Sequence, residues 1–426
     1  MKLKINVRSC INGFFEYLLA FVVILECRSI WNNVTTTRNN LWLVFLVLLT
    51  VAVFGSILTH KGLMKSNFVK ALQTAAVLVL YCAVYVIGCG YKLSIFFRFA
   101  YAVILLTLFF YCCNYRQKMP SILQKYQNLV LIIACISLFF WLFGSVLNVI
   151  RPSGSVIMNW SGNGEDAAYA SYYNLHFEVQ AIKLDFLGMT SYRNTSLFVE
   201  APMFAFHLAL ALMIEFFMKS KEEFSKYKVA ILIITILTTF STTGYVVIAF
   251  ALVTKILSSK RRSGMRRVIY ILAPFVLLIG GTIVAQLIFK KLGTGSGTVR
   301  VDDIAVCIKA WTTNLFFGAG FDNYEYVQSL MGEWRSHSTG LSSAMMIVLA
   351  YGGLYLAIPY VGTLIFGAIS GLTQKRMELT WLSVGLFFTF FVTAVPFQYI
   401  FLYMLIYLAN ANQSREAAYE QSKEIN

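Results

Sequence analysis

The chain has 426 residues, of which 58% are hydrophobic and 13% charged, with a mean hydropathy of +0.70. Soluble domains carry about a quarter of their residues as charges, so a soluble globular class is excluded. The net charge of +16 does not mark a nucleic-acid binder, because the basic residues fall mainly in short segments between apolar runs, the distribution that orients membrane proteins.

Apolar runs long enough to span a bilayer recur along the whole chain. They predict an all-α polytopic membrane protein with a single transmembrane domain over 1–426 and about twelve spans, at about 14–30, 41–59, 68–88, 94–114, 127–150, 197–217, 228–241, 243–257, 267–289, 341–371, 380–395 and 397–411. The first run ends in Glu26, Cys27 and Arg28 without a small-residue cleavage site and reads as a retained span. With the N-terminus and every second loop on one side, that side collects 23 of the 35 basic residues, including the run Lys260, Arg261, Arg262, Arg266 and Arg267. Positive-inside logic makes it the cytoplasmic side, with both termini there. The two long polar segments, 151–196 and 290–340, are then external.

The first external loop is rich in aromatic and small polar residues, including Asn159, Trp160, Tyr169, Tyr172, Tyr173 and His176. Such side chains stack on sugar rings, and they serve equally as interfacial belt residues. Asn33, Asn159 and Asn194 each begin an N-x-[ST] triplet, which matters only in a eukaryotic secretory pathway. In the second loop, apolar residues at Val301, Ile304, Ala305, Ile308, Trp311 and Leu315 follow a helical stripe, stopped by Gly318 and Gly320. This predicts an amphipathic helix on the bilayer or over the bundle. The glycine run at 293–297 lacks the Lys-Ser/Thr of a phosphate-binding loop.

Arg193 and Arg300 are external cations near span ends, where positive-inside logic disfavours them, and a guanidinium fork suits phosphate oxygens; Arg335 lies in the same second loop as Arg300. Glu200 lies inside the start of the sixth span beside Pro202, where an acid is costly unless paired or facing a polar cavity. His337, a few residues before the tenth span, is a candidate general base near pH 7. His207, within the sixth span, reads as a packed or hydrogen-bonded bundle residue. The outer loops hold no D-x-D and no acid–histidine cluster, so no metal is expected. The eight cysteines show no C-x-x-C spacing, and no Ser-His-Asp or Cys-based hydrolase arrangement is visible.

The order of these features resembles the bacterial O-antigen polymerase/O-antigen ligase superfamily, membrane glycosyltransferases with a GT-C-like fold. The resemblance is carried by Arg193-Asn-Thr-Ser-Leu-Phe-Val-Glu200-Ala-Pro202 entering a span and by Arg300 heading a helix. It continues in Asn314-Leu-Phe-Phe-Gly318-Ala-Gly320-Phe321 and in Ser336-His337-Ser338 before a span with Tyr351-Gly352-Gly353. Leu315 stands where the family usually has Pro, and Ser338 where Asn is common. The resemblance implies external loops with short helices and a polysaccharide polymerase of O-antigen, capsule or exopolysaccharide. Such an enzyme works without cofactor or metal at the outer face of the bacterial cytoplasmic membrane. Donor and acceptor would be polyprenyl-diphosphate-linked oligosaccharides, in a membrane lipid setting, with a chain-length regulator as an allowed partner. Arg193, Arg300 and Arg335 would hold the diphosphate. His337, or failing it Glu200 or Asp302, would take the acceptor's proton. Trp160, Tyr172, Tyr173 and His176 would meet the sugars. Ligase-type transfer to another acceptor shares the same scaffold. A lipid-linked oligosaccharide flippase is the alternative of a different class, and it predicts short outer loops and more mid-span charge.

Overall fold

Buried backbone groups in an apolar setting must find partners within their own segment, and the apolar runs accordingly fold as helices. A computed structural model describes residues 7–33, 35–59, 65–89, 91, 93–115, 117, 119–158, 167–184, 189–258, 295–335 and 340–411. The helices are α1 (Val7–Glu26), a single turn α2 (Ile30–Asn33), α3 (Thr35–Thr59), α4 (Lys65–Cys89), α5 (Leu93–Phe109) and α6 (Ser121–Phe140). The last two continue into wider turns at Phe110–Asn114 and Trp141–Val146. They are followed by α7 (Ala201–Phe217), α8 (Lys226–Thr238), α9 (Thr242–Ser258), α10 (Gly295–Thr312), α11 (Tyr324–Ser329), α12 (Ala344–Thr373), α13 (Met377–Val392) and α14 (Tyr399–Ala411).

Eleven of the twelve expected spans coincide with these helices, and 267–289 lies outside the described residues. Five helical stretches are long and apolar enough to cross a membrane: Thr37–Gly55, Asn67–Cys89, Leu93–Asn114, Ser121–Val146 and Ala344–Thr373. Four more apolar helices, at Ala201–Phe217, Thr242–Lys255, Met377–Val392 and Tyr399–Ala411, are shorter. Helix α7 is apolar except for His207 and Glu215 and is buried all round except at Pro202. It is the central post, packed by α6, α8, α9 and α13.

Contacts between helix ends sort the bundle into two ends. At one, Lys125 of α6 meets Glu16 of α1, Lys70 of α4 meets Tyr115 after α5, and Tyr111 donates to Asn410 of α14. Lys255 lies over the Phe224 ring beside the start of α8, and Arg376 reaches the Ala411 carbonyl. At the other end, the exit from α1 pairs with the entry to α7: Ile30 N donates to the Leu197 carbonyl and Val199 N to that of Arg28. Asn194 N bonds to the Thr238 carbonyl at the end of α8, and Trp141 donates to the Tyr192 carbonyl. Glu26 stands within electrostatic reach of Tyr399 at the start of α14, and Ala344 N bonds to the Thr393 carbonyl. The helices from α1 to α9, α2 aside, therefore alternate in direction, as do α12 to α14, and the first polar segment and the stretch leading into α12 lie at the second end.

The first polar segment differs from the short helices implied by the family resemblance. It forms strands β1 (Gly154–Met158), β2 (Ala167–Tyr172), β3 (His176–Phe177), β4 (Ala181–Leu184) and β5 (Met189–Tyr192). The first three make an antiparallel sheet in the order β1-β2-β3, and β4 pairs with β5. Small residues in β2 alternate with Tyr169, and Met158, Tyr172 and Phe177 turn inward onto the bundle. The strands are held by antiparallel backbone pairing, from Gly154 opposite Ser171 to Met158 opposite Ala167, and burial rises along β2 toward Tyr172. This second end is called the sheet end below.

The second polar segment carries the expected helix, α10, with its faces exchanged. Asp303, Val306, Cys307 and Ala310 form the buried face, while Val301, Ala305 and Ile308 are exposed. After α10, residues 315–320 dock into a break in α12. Gly353 has φ 58° and ψ −158°, a conformation open essentially to glycine alone. Leu354 and Tyr355 N–H groups donate to the carbonyls of Leu315 and Phe316, and Ala319 N donates to that of Ala350. Tyr85 OH bonds to the Tyr351 carbonyl at 2.7 Å, and Tyr81 OH to that of Tyr355. The groups freed by the break are thus re-satisfied by protein, as an irregular backbone in an apolar setting requires.

Candidate functional site

Helix α1 stops at Glu26, and the chain reverses through Arg28, which has φ 51°. This turn brings Arg28 onto Glu200, the residue before α7, with Nη1 donating to Oε1 at 3.0 Å. The side chains are 38% and 17% exposed, so the pair sits at the surface of the sheet end. Glu200 has an extended backbone, and Gln180 Oε1 accepts from the first helical N–H, that of Ala201. Pro202 occupies the first turn, where its missing N–H is not needed.

Arg193 joins the same group. Its backbone N–H donates to the Gln180 carbonyl, its Nε to the Thr239 carbonyl at 2.9 Å and its Nη2 to the Phe240 carbonyl at 3.1 Å. It therefore caps the C-terminus of α8, where cations are favoured. These bonds use two of the five guanidinium N–H donors. Burial lowers the Arg193 pKa, while Glu200 and Tyr245 oppose that shift. Glu200, expected to share a face with Arg193, is thus within electrostatic reach of it but hydrogen-bonded to Arg28. The outcome is two arginines flanking one carboxylate beside the sheet, a half-exposed cluster of net positive charge that can take an anion.

Arg335, expected to bind the diphosphate, is elsewhere and engaged. It is 1% exposed, pairs with Asp302 at 3.0 Å and Asp303 at 2.7 Å, and donates from Nη2 to the Gly340 carbonyl at 3.0 Å. Burial raises the Asp303 pKa, against Ser342 and Arg335, which lower it. This ion triad pins α10 to the stretch before α12. It leaves Asp302, a candidate base, with its charge already committed. Arg300 is exposed near the start of α10.

Two of the aromatic-loop residues also take structural places. His176 is fully buried, with Nε2 3.3 Å from Ser145 Oγ, and burial lowers its pKa to about 3. It is a neutral packing residue rather than a surface for sugar. Tyr172 is buried over Gly144 and donates to Glu178 Oε1 at 2.8 Å. Tyr173, at the β2–β3 turn with φ 51°, is exposed and open to a ligand. Trp160 and His337 lie outside the described residues. His207 is a buried bundle residue, its Nδ1 2.7 Å from Tyr126 OH. Among the described residues, no group of three or more His, Cys, Asp or Glu stands together in a way that could hold a metal.

Arg28, Gln180 and Asp303 were not singled out from the sequence. Arg28 carried a usable signal: it is a cation at the external end of the first span, the same anomaly that marks Arg193 and Arg300. Gln180 and Asp303 carried none, because their partners are remote in the chain.

No protein-family model matches the chain, and no curated protein matches it significantly.

Proposed function

We propose that the protein is a metal-independent membrane glycosyltransferase, a polysaccharide polymerase that joins polyprenyl-diphosphate-linked oligosaccharide repeat units. In this reading the bundle crosses the bacterial cytoplasmic membrane twelve times with a GT-C-like arrangement, and the sheet end faces outward. The supporting observation is the Arg28–Glu200–Arg193 cluster at the end of the bundle where the first polar segment and the stretch leading into α12 lie. The opposite end carries Lys70, Lys125, Lys228, Lys255 and Arg376, as a cytoplasmic face does.

A lipid-linked donor presents its diphosphate at the headgroup plane, with the glycan above it and the polyprenyl chain below. Arg28 can turn from Glu200 to a phosphate oxygen, and the spare Arg193 donors can take another. Fixed donors aimed at a departing diphosphate stabilise the charge that develops on it. Arg300 supplies a further cation from the second polar segment. Tyr173 offers an exposed ring for a sugar face, and His337 keeps its place as a candidate base on the resemblance alone. Ligase-type transfer uses the same donor site and differs in the acceptor.

A deletion strain tests this reading through its glycan ladder. Loss of long chains with single repeat units remaining supports the polymerase. Full-length polymer accumulating on its lipid carrier indicates ligase-type transfer. An unchanged ladder overturns both.

A further inference from the structure

Glu26 ends α1 one turn before the Arg28–Glu200 pair. It is 9% exposed, and its Oε1 is buried with no hydrogen-bond partner. The neighbouring Asn32 points its Nδ2 at the Glu26 carbonyl and leaves its own Oδ1 buried and unpartnered. Two buried acceptors on neighbouring residues of the sheet end therefore stand without a donor. A buried acceptor lacking a donor is costly, more so when charged, which favours a ligand that brings a hydroxyl to this carboxyl.

The residues around this carboxyl come from the entries to α7, α3 and α14. On one side are Cys27, Arg28 and Glu200, which with Glu26 form one electrostatic neighbourhood. On the other, Arg38 of α3 and Tyr399 of α14 face it. Tyr399 stacks on Phe45 at 4.0 Å. Two residues earlier, Phe397 packs on Phe321 at 4.7 Å and on Tyr351, which belong to the second polar segment and the broken helix. Arg28, adjacent in sequence, bonds to Glu200 instead. Among the described residues no cation donates a hydrogen bond to Glu26, whereas Glu200 and Asp302 are paired.

We propose that Glu26 receives the proton of the acceptor sugar's hydroxyl. This rests on the glycosyl-transfer reading. The acceptor O–H bond breaks and its proton passes to a Glu26 carboxylate oxygen. The hydroxyl oxygen's electron pair forms the new bond to the donor's anomeric carbon. The bond from that carbon to phosphate oxygen breaks, and polyprenyl diphosphate leaves with the bonding pair. Glu26 then releases the proton to solvent.

The test uses the full chain in lipid vesicles with lipid-linked oligosaccharides extracted from the cells that make it. Glu26→Gln should lower the polymerisation rate by about 10²–10⁴-fold, the usual range for a general base, while binding of polyprenyl diphosphate stays within twofold of the parent. Glu26→Asp should recover part of the rate. Dicyclohexylcarbodiimide, which labels buried protonated carboxyls, should modify Glu26, with peptide mass spectrometry as the readout, and lipid-linked acceptor should protect it. A Glu26→Gln protein that polymerises at the parental rate overturns the role of Glu26 and leaves the glycosyl-transfer reading standing. A parent protein that extends no lipid-linked glycan overturns both. If Glu26→Gln does not fold, the carbodiimide result on the parent decides, and an unlabelled or unprotected Glu26 overturns the proposal.

Discussion

Replacing Arg335 by Met should unlatch α10 from the bundle. Arg335 is the counter-charge for two acids, Asp302 at 3.0 Å and Asp303 at 2.7 Å. Asp303 is as buried as the arginine, at 1%, while Asp302 is 25% exposed and can rehydrate. The substitution therefore strands one buried carboxylate without its counter-charge. Breaking a buried pair from one side costs about 3–5 kcal/mol, which is about 10²–10⁴-fold in the folding constant. Met fills similar volume, so packing loss adds little. Removing the second charge as well, in Arg335→Met with Asp303→Asn, should return most of that loss. The penalty of the single variant should also shrink as pH falls. An unpaired buried Asp303 has its pKa raised further, and a group with a raised folded pKa stabilises below its unfolded pKa and loses that contribution as pH rises. Equilibrium unfolding in mixed micelles of rising dodecyl sulfate content measures all three. A single variant within about 0.5 kcal/mol of the parent, well under the buried-pair cost, with the double no better, would refute the latch. It would return Arg335 to the ligand-binding surface suggested by its position in the chain.

Three further outcomes follow from the same structure. Gly353→Ala should destabilise by at least about 1–3 kcal/mol from backbone conformation alone, because a Cβ there lies 2.4 Å from the Phe316 carbonyl oxygen. Gly362→Ala, with nothing within 4 Å, should be neutral in the same unfolding assay. Burial of His176 lowers its pKa from 6.5 to about 3, so the unfolded chain binds a proton that the folded protein refuses. Its contribution is complete above about pH 6.5 and is lost at about 1.4 kcal/mol per pH unit as pH falls towards 3. His176→Phe should flatten that acid limb by the same slope. Asn194 is buried and donates to Ser137 and Thr238, so peptide mass spectrometry after expression in a eukaryotic secretory pathway should find it unglycosylated.

What the sequence made legible follows from the range of the forces involved. Span positions and helix alternation depend on runs of about twenty residues and on the count of Lys and Arg, and these survive any detail of packing. The short helices α8 and α9 were legible as a pair because Ser241 and its neighbours interrupt the apolar run, although 13 residues in α8 reach only about 20 Å. The face of α10 was not legible. Near a membrane both sides of a helix can be apolar, so the bulkier stripe at Val301, Ile304 and Ile308 dominated the pattern, while the side packed on α12 carries the smaller Cys307 and Ala310. Asp303 on that side looks like a solvated residue until Arg335, 32 positions later, is placed beside it. The strands of the first polar segment run only two to six residues, too few for a period of two to stand out. Of the cluster at the sheet end, Arg193 and Glu200 were legible as charges at a span boundary. Their union with Arg28 required the bridge between Ser29 and Phe198, a contact across 169 residues of chain.

The central claim is that Arg28 and Arg193 hold a diphosphate at the sheet end. Titrating the purified protein in vesicles with radiolabelled undecaprenyl diphosphate tests it directly. Saturable binding to the parent, weakened about 10–100-fold by Arg28→Ala as expected for loss of one charged hydrogen bond of about 1.5–3 kcal/mol, and left intact in Gly362→Ala, is the predicted result. Equal affinity in parent and Arg28→Ala, or no saturable binding to the parent, would contradict it.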